Sequence, residues 1–138
     1  MRASFRNLGL RTALACALLA APWAARAQSA MPAMKSQGAA QYVCGGIGSD
    51  ESTAMRAAMK DHPLALLFAR AGGAYLANVD VTVMDDKGGT ALAMRASGPV
   101  CLVDLPAGRY TIQATSNGAT KSETVTVGSG SKTADFRF

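Results

Sequence analysis

The chain has 138 residues, of which 49% are hydrophobic and 17% are charged, so its length and composition allow one ordinary globular domain. The formal net charge of +5 is unevenly placed, because four of the 14 basic residues and no acidic residue lie in the first 27 positions. Outside these 27 positions the chain has ten basic residues and nine acidic ones. This near balance leaves no basic surface for nucleic acid, whose phosphates require clustered lysine and arginine.

The N-terminal segment has the pattern of a secretory signal. Basic residues precede an apolar run at positions 12–21, which is too short to span a bilayer as a helix. Ala25-Arg26-Ala27 then places small residues where a signal peptidase cleaves. We expect a signal peptide over 1–27, cleavage near Ala27, no membrane span after cleavage, and a periplasmic or secreted location. An uncleaved membrane anchor is the weaker alternative.

Cleavage would remove Cys16 and leave two cysteines, Cys44 and Cys101. In an oxidising compartment such a pair most often forms a disulfide. The loop closed by this bond is long, and the expected stabilisation is about 4 kcal/mol. We expect the bond to fasten the N-terminal segment and its helix to the rest of the domain. Metal binding by two free thiols is the alternative, but His62 is the only histidine that could join them.

Residues 28–40 are small or polar and lack periodicity, which predicts a flexible leader before an ordered domain over 41–138. The leader contains Met31 and Met34, whose thioethers suit Cu(I). A single pair on a flexible segment, without a histidine nearby, does not favour a metal site. The sequence shows no cofactor fingerprint either.

A helix is expected after a glycine-rich loop. Ser49 or Asp50 can cap its start, and Pro63 disfavours helical geometry beyond about Asp61. Backbone N–H groups at a helix start can hold an anion, but the glycine spacing fits neither a phosphate loop nor a dinucleotide loop. We therefore favour a tight turn beside the disulfide. The loop remains a binding candidate through three residues, Gly45, Gly46 and Gly48.

The rest of the chain has the pattern of a β protein. Residues 64–71 alternate as a strand does but could continue as a buried helix, and we favour a strand because two glycines follow. From residue 77 onward, alternating segments recur about every ten residues with turn signals between them, and residues 99–105 are apolar on both faces, as in a central strand. The sequence therefore predicts a mainly β fold, an antiparallel β-sandwich with one N-terminal α-helix.

The segment Asp104-Leu105-Pro106-Ala107-Gly108-Arg109-Tyr110-Thr111-Ile112 resembles the carboxypeptidase regulatory-like, or transthyretin-like, β-sandwich domains. In that family an apolar strand enters a Leu-Pro-Pro/Ala-Gly turn, and an aromatic residue opens the next strand. The resemblance covers residues 77–138, and the mature chain as a whole is similar to a group of small exported proteobacterial proteins. In metallocarboxypeptidases this domain is not the catalytic part, and the zinc-holding histidine–glutamate pairs have no counterpart here. The resemblance implies a fold, a compartment and a binding role.

No catalytic residues can be assigned, because His62 has no recognisable serine or cysteine nucleophile to serve. We expect a non-enzymatic periplasmic binding or interaction module, with an envelope protein as its partner at a strand edge or the helix face. The alternative is binding of a glycan or another small ligand through a sandwich face. The resemblance implies that exposed aromatics would do this, and the candidates are Tyr75 and Tyr110.

Overall fold

The computed structural model describes residues 31–138, which form two β-sheets packed face to face with a helix on the outer side of one sheet. The predicted β-sandwich with one helix is confirmed. Its elements in chain order are β1 (Lys35–Gln37), β2 (Ala40–Gly45), α1 (Ser49–Ala58) with a 3-10 turn (Met59–Asp61), β3 (Leu64–Ala69), β4 (Val79–Asp85), β5 (Thr90–Ala96), β6 (Val100–Asp104), β7 (Gly108–Ser116), β8 (Ala119–Val127) and β9 (Lys132–Arg137). The predicted signal segment and its cleavage site lie outside the described residues.

The five-stranded sheet has the order β1-β2-β6-β3-β9, and its pairs are antiparallel except for β3 with β9. Its middle strand, β6, is buried on both faces. Cys101 and Val103 face the second sheet, whereas Val100 and Leu102 face the helix layer. The prediction of a central strand is confirmed, and so is the strand preferred for the ambiguous segment, which is β3.

The second sheet has the order β5-β4-β7-β8 and closes the core between the layers. Alternate residues of β4 point inward and are buried, as the alternating pattern from residue 77 onward predicted. They meet the inner side of β3, where Phe68 stacks on Phe136 with ring centroids 5.7 Å apart. Burial of each such side chain contributes about 1.5–3 kcal/mol, so this interface is the main source of stability.

Helix α1 covers the outer face of the five-stranded sheet. Met55 is fully buried there, in a cluster with Val43, Ala65 and Leu102. The helix ends as predicted, because the residue before Pro63 is extended. The predicted side-chain cap is wrong: the N-cap residue is Gly48, and no side chain bonds to this end of the helix.

The predicted disulfide joins Cys44 of β2 to Cys101 of β6, with Cα atoms 4.1 Å apart. These two residues are direct partners in the antiparallel register. The expected role of the bond therefore needs correction. It links neighbouring strands of one sheet rather than fastening a separate helical arm, because the segment that carries Cys44 is itself a strand of the sandwich.

The described part of the predicted leader contains regular structure before residue 41. Strand β1 pairs with β2, in a register that places Lys35 opposite Tyr42. The Gln37 side chain also reaches the other sheet, where its amide donates to the Ala93 carbonyl at 3.0 Å and its oxygen accepts from the Ala93 N–H at 2.7 Å. The composition of this segment did not predict its regular structure. Backbone pairing and the Gln37 amide hold the segment in place, and neither produces an apolar periodicity in the sequence.

Within residues 31–138, none of the helices has the length and apolar character needed to cross a bilayer.

Candidate functional site

The glycine-rich loop between β2 and α1 is held tightly against the helix. The Glu51 carboxylate accepts a hydrogen bond from the Gly46 N–H at 2.8 Å, and the Gly48 carbonyl accepts one from Ser52 at 3.0 Å. Both glycines have positive φ, 93° and 88°, which side chains with a Cβ rarely adopt. The residue between them, Ile47, therefore projects outward on a constrained loop, and it is 65% exposed.

A second segment, residues 75–77, lies next to this loop. The chain reverses after β3 through residues 70–74, where the Arg70 N–H donates to the Ala74 carbonyl at 2.7 Å. It returns as a short antiparallel bridge of Tyr75 with Ala69, and the Leu76 N–H donates to the Phe68 carbonyl at 3.1 Å. The backbone of this segment is thus fixed to β3, while the Tyr75 side chain remains 59% exposed.

The two segments line one concave surface with a volume of about 320 Å³, which we call the Ile47–Tyr75 patch. Its residues are Gly46, Ile47, Gly48, Tyr75, Leu76, Ala77 and Pro99. Within residues 31–138, Ile47 and Tyr75 are the two large hydrophobic residues that are exposed. Scattered exposed apolar residues are normal on a protein surface, but a contiguous concave group of them is typical of a contact site.

Arg56 of α1 supplies positive charge beside this patch. Its guanidinium carbon lies 4.8 Å from the centroid of the Tyr75 ring, and its Nε donates to the Ser52 hydroxyl at 3.4 Å. An interaction of this type contributes about 0.5–1 kcal/mol at an exposed site and restrains the ring. The patch therefore combines a tyrosine, an arginine and an isoleucine on two fixed backbone segments.

The structure brings three of the binding candidates from the sequence, Gly46, Gly48 and Tyr75, to one place. Gly45 is buried and does not line this surface. Sequence reasoning did not identify the contributions of Ile47 and Arg56. Ile47 could have been noticed, because an isoleucine inside a glycine-rich loop has no periodic apolar partners.

Tyr110 does not belong to this site. It lies on the inner side of β7 with 7% of its surface exposed, and its hydroxyl donates to the Pro106 carbonyl at 2.7 Å. The expectation that Tyr110 could offer an exposed aromatic ring is therefore wrong. The ring instead fastens the start of β7 to the turn that precedes it.

The position of Tyr110 makes stability depend on pH. Burial raises the pKa of its hydroxyl above the ordinary value of 10.0, and the carboxylates of Asp85 and Asp86 raise this pKa further. Below about pH 10 the tyrosine is neutral in both states, so its contribution is fully present. At higher pH the unfolded chain loses this proton first, and the free energy of unfolding falls as the pH rises through the folded-state pKa.

We expect Tyr110→Phe to remove the part of the fall in the free energy of unfolding at high pH that Tyr110 causes. At neutral pH the lost hydrogen bond should lower this free energy by about 1 kcal/mol. Urea unfolding from about pH 8 to pH 11 measures both effects. Tyr75→Phe serves as the control, because it leaves Tyr110 in place and should keep the decline. If the free energy of unfolding of Tyr110→Phe fell with pH as steeply as that of the unchanged protein, this assignment would be contradicted.

His62 is paired with Asp104, and the two form a contact between the end of the helix region and β6. The His62 Nδ1 lies 2.7 Å from the Asp104 Oδ1, with 17% and 37% of the two side chains exposed. Ser131 lines the same surface recess, yet among residues 31–138 no serine hydroxyl hydrogen-bonds to this histidine. Nor does this part of the chain contain three His, Cys, Asp or Glu side chains grouped to hold a metal.

Comparison with known proteins adds no identification. The sequence matches no protein-family model and no curated protein. The class defined by the fold is therefore a disulfide-bonded β-sandwich with a helix on one face, and the Ile47–Tyr75 patch is its candidate contact site.

Proposed function

We propose that this protein is a non-enzymatic binding module that contacts a partner protein through the Ile47–Tyr75 patch. The observation that carries the proposal is the meeting of Ile47 and Tyr75 in one concave surface, where they are 65% and 59% exposed. Tyrosine and arginine are enriched among the residues that dominate protein interfaces. Arg56 beside Tyr75 adds the second of these residue types.

The cellular location proposed for the module is the periplasm or the extracellular space. Two features support it, the secretory pattern of residues 1–27 and the bond between Cys44 and Cys101. The partner is then an exported or envelope protein. The turn around Pro106 that resembles the carboxypeptidase regulatory-like domains supports the same class of β-sandwich.

Binding of a glycan or another small ligand is the alternative function. Tyr75 favours it, because an exposed aromatic ring can stack on a sugar. The outer face of the four-stranded sheet gives less support to glycan binding. That face presents hydroxyl side chains rather than aromatic rings, including the paired Thr111 with Thr124 and Thr115 with Thr120.

The partner proposal is tested with Ile47→Asp, which places a charge in the apolar patch on a residue that is already exposed. We expect proteins captured from an envelope extract by the immobilised unchanged domain to bind this variant at least tenfold more weakly. Thr126→Asp is the control, because it adds the same charge to an exposed position of β8. It should keep the captured partner.

Two outcomes count against the partner proposal. Equal capture by the unchanged domain and Ile47→Asp would exclude the patch as the contact site. Glycan binding that Tyr75→Ala abolishes and Ile47→Asp leaves unchanged would support the alternative function instead. Thermal unfolding of each variant should show that the domain remains folded.

A further inference from the structure

Four methionines gather around the outer face of the five-stranded sheet, and none of them lines the Ile47–Tyr75 patch. Met55 is fully buried in the cluster formed with Val43, Ala65, Val100 and Leu102. The other three methionines are partly buried and pack against the same cluster. We call Met31, Met34, Met55 and Met59 the methionine cluster.

Two short segments of the chain build this cluster. Met55 and Met59 are four residues apart along the helix and its final turn, so they project from the same side. Met31 and Met34 precede β1, which pairs with β2, and both pack against the cluster that contains Val43 of β2. The methionines before β1 and those of the helix region therefore pack against the same cluster of buried residues.

This arrangement changes how the pair of methionines before β1 is interpreted. The sequence alone discounted Met31 and Met34, because a single pair on a flexible segment provides too few ligands. In the structure both are packed beside a folded hairpin, and Met55 and Met59 bring the number of thioethers to four. Thioethers are soft ligands that select Cu(I), whereas harder cations prefer oxygen and nitrogen.

We propose that the methionine cluster binds one Cu(I) ion through thioether sulfurs. Methionine side chains are flexible, so rotation about their bonds can turn sulfurs that pack on one cluster toward a common ion. Partial exposure of Met31, Met34 and Met59 provides a route for the ion, and buried Met55 forms the inner wall. The proposal is independent of the partner protein, because it uses none of the residues of the Ile47–Tyr75 patch.

The test is a competition for Cu(I) between the purified protein and a Cu(I) chelator of known affinity, without oxygen. We expect the unchanged protein to hold one equivalent. The double variant Met31→Leu/Met34→Leu, which nearly conserves side-chain volume, should bind at least tenfold more weakly. Met84→Leu lies on the other sheet and should bind as the unchanged protein does.

A second measurement follows the methionine methyl NMR signals during titration with Ag(I), a redox-inert substitute for Cu(I). We expect the signals of the methionine cluster to shift while those of Met84 and Met94 stay in place. The proposal is overturned if the protein retains no Cu(I), if the double variant and the unchanged protein bind equally, or if Met84→Leu weakens binding as much as the double variant does.

Discussion

Removal of the bond between Cys44 and Cys101 should lower the free energy of unfolding by about 4 kcal/mol. The two residues are 57 positions apart in sequence, so the bond restricts a long loop in the unfolded chain. In the folded state they are already partners in the register of β2 and β6. The native sheet therefore places the two cysteines together even without the bond. Loss of the bond should destabilise the protein mostly by increasing the conformational entropy of the unfolded chain.

Urea unfolding of the oxidised protein, the reduced protein and the double variant Cys44→Ala/Cys101→Ala measures this effect. We expect a lower midpoint and a steeper dependence on urea once the bond is absent, because the unfolded chain then exposes more surface. The reduced protein separates the bond from packing, since it keeps the buried Cys101 sulfur that alanine removes. If the midpoint were unchanged although the Cys44 and Cys101 thiols both titrated in the denatured reduced sample, the expected stabilisation would be contradicted.

The parts of the fold that the sequence predicted are those determined by local pattern. The alternation in β4 depends only on residues two apart. The turn signals between the strands are equally local, as at Asn117-Gly118, where both residues have positive φ, 48° and 79°. Strand β6 could be placed centrally because it is apolar on both faces, a property visible within five residues. No knowledge of distant contacts was needed for these features.

Apart from the disulfide, which required only a count of the cysteines, features that depend on distant segments were not predicted. Parallel pairing of β3 with β9 joins Leu64 to Lys132 in register, and nothing within either strand specifies the other. The Ile47–Tyr75 patch likewise combines a loop before the helix with a segment after β3. The sequence could nominate Gly46, Gly48 and Tyr75 separately, but only the folded chain shows that they share a surface. The methionine cluster was missed for the same reason.

Gly98→Ala should destabilise the protein by about 3 kcal/mol. A Cβ at this buried position would overlap the backbone carbonyl of Gly45 and lie 2.8 Å from the Gly45 Cα. Because the obstructing atoms belong to backbone, no side-chain rotation can relieve the overlap, and β2 or the segment before β6 must move. Gly98 does not have the positive φ of a turn glycine; it is needed because two segments of the chain approach each other closely here.

Gly72→Ala is the matched control, because a Cβ there meets no atom within 4 Å and the backbone is not left-handed. We expect Gly72→Ala to change the free energy of unfolding by less than about 0.5 kcal/mol.

Gly98→Ala should also weaken partner capture, whereas Gly72→Ala should not. Gly98 precedes Pro99 of the patch and lies against Gly45, which leads into the loop that carries Ile47. Urea unfolding of both variants provides the comparison. Equal stability of the two variants would mean that β2 and the segment before β6 can move apart at this point without cost. The Ile47–Tyr75 patch would then lack the fixed backbone on which its proposed role depends.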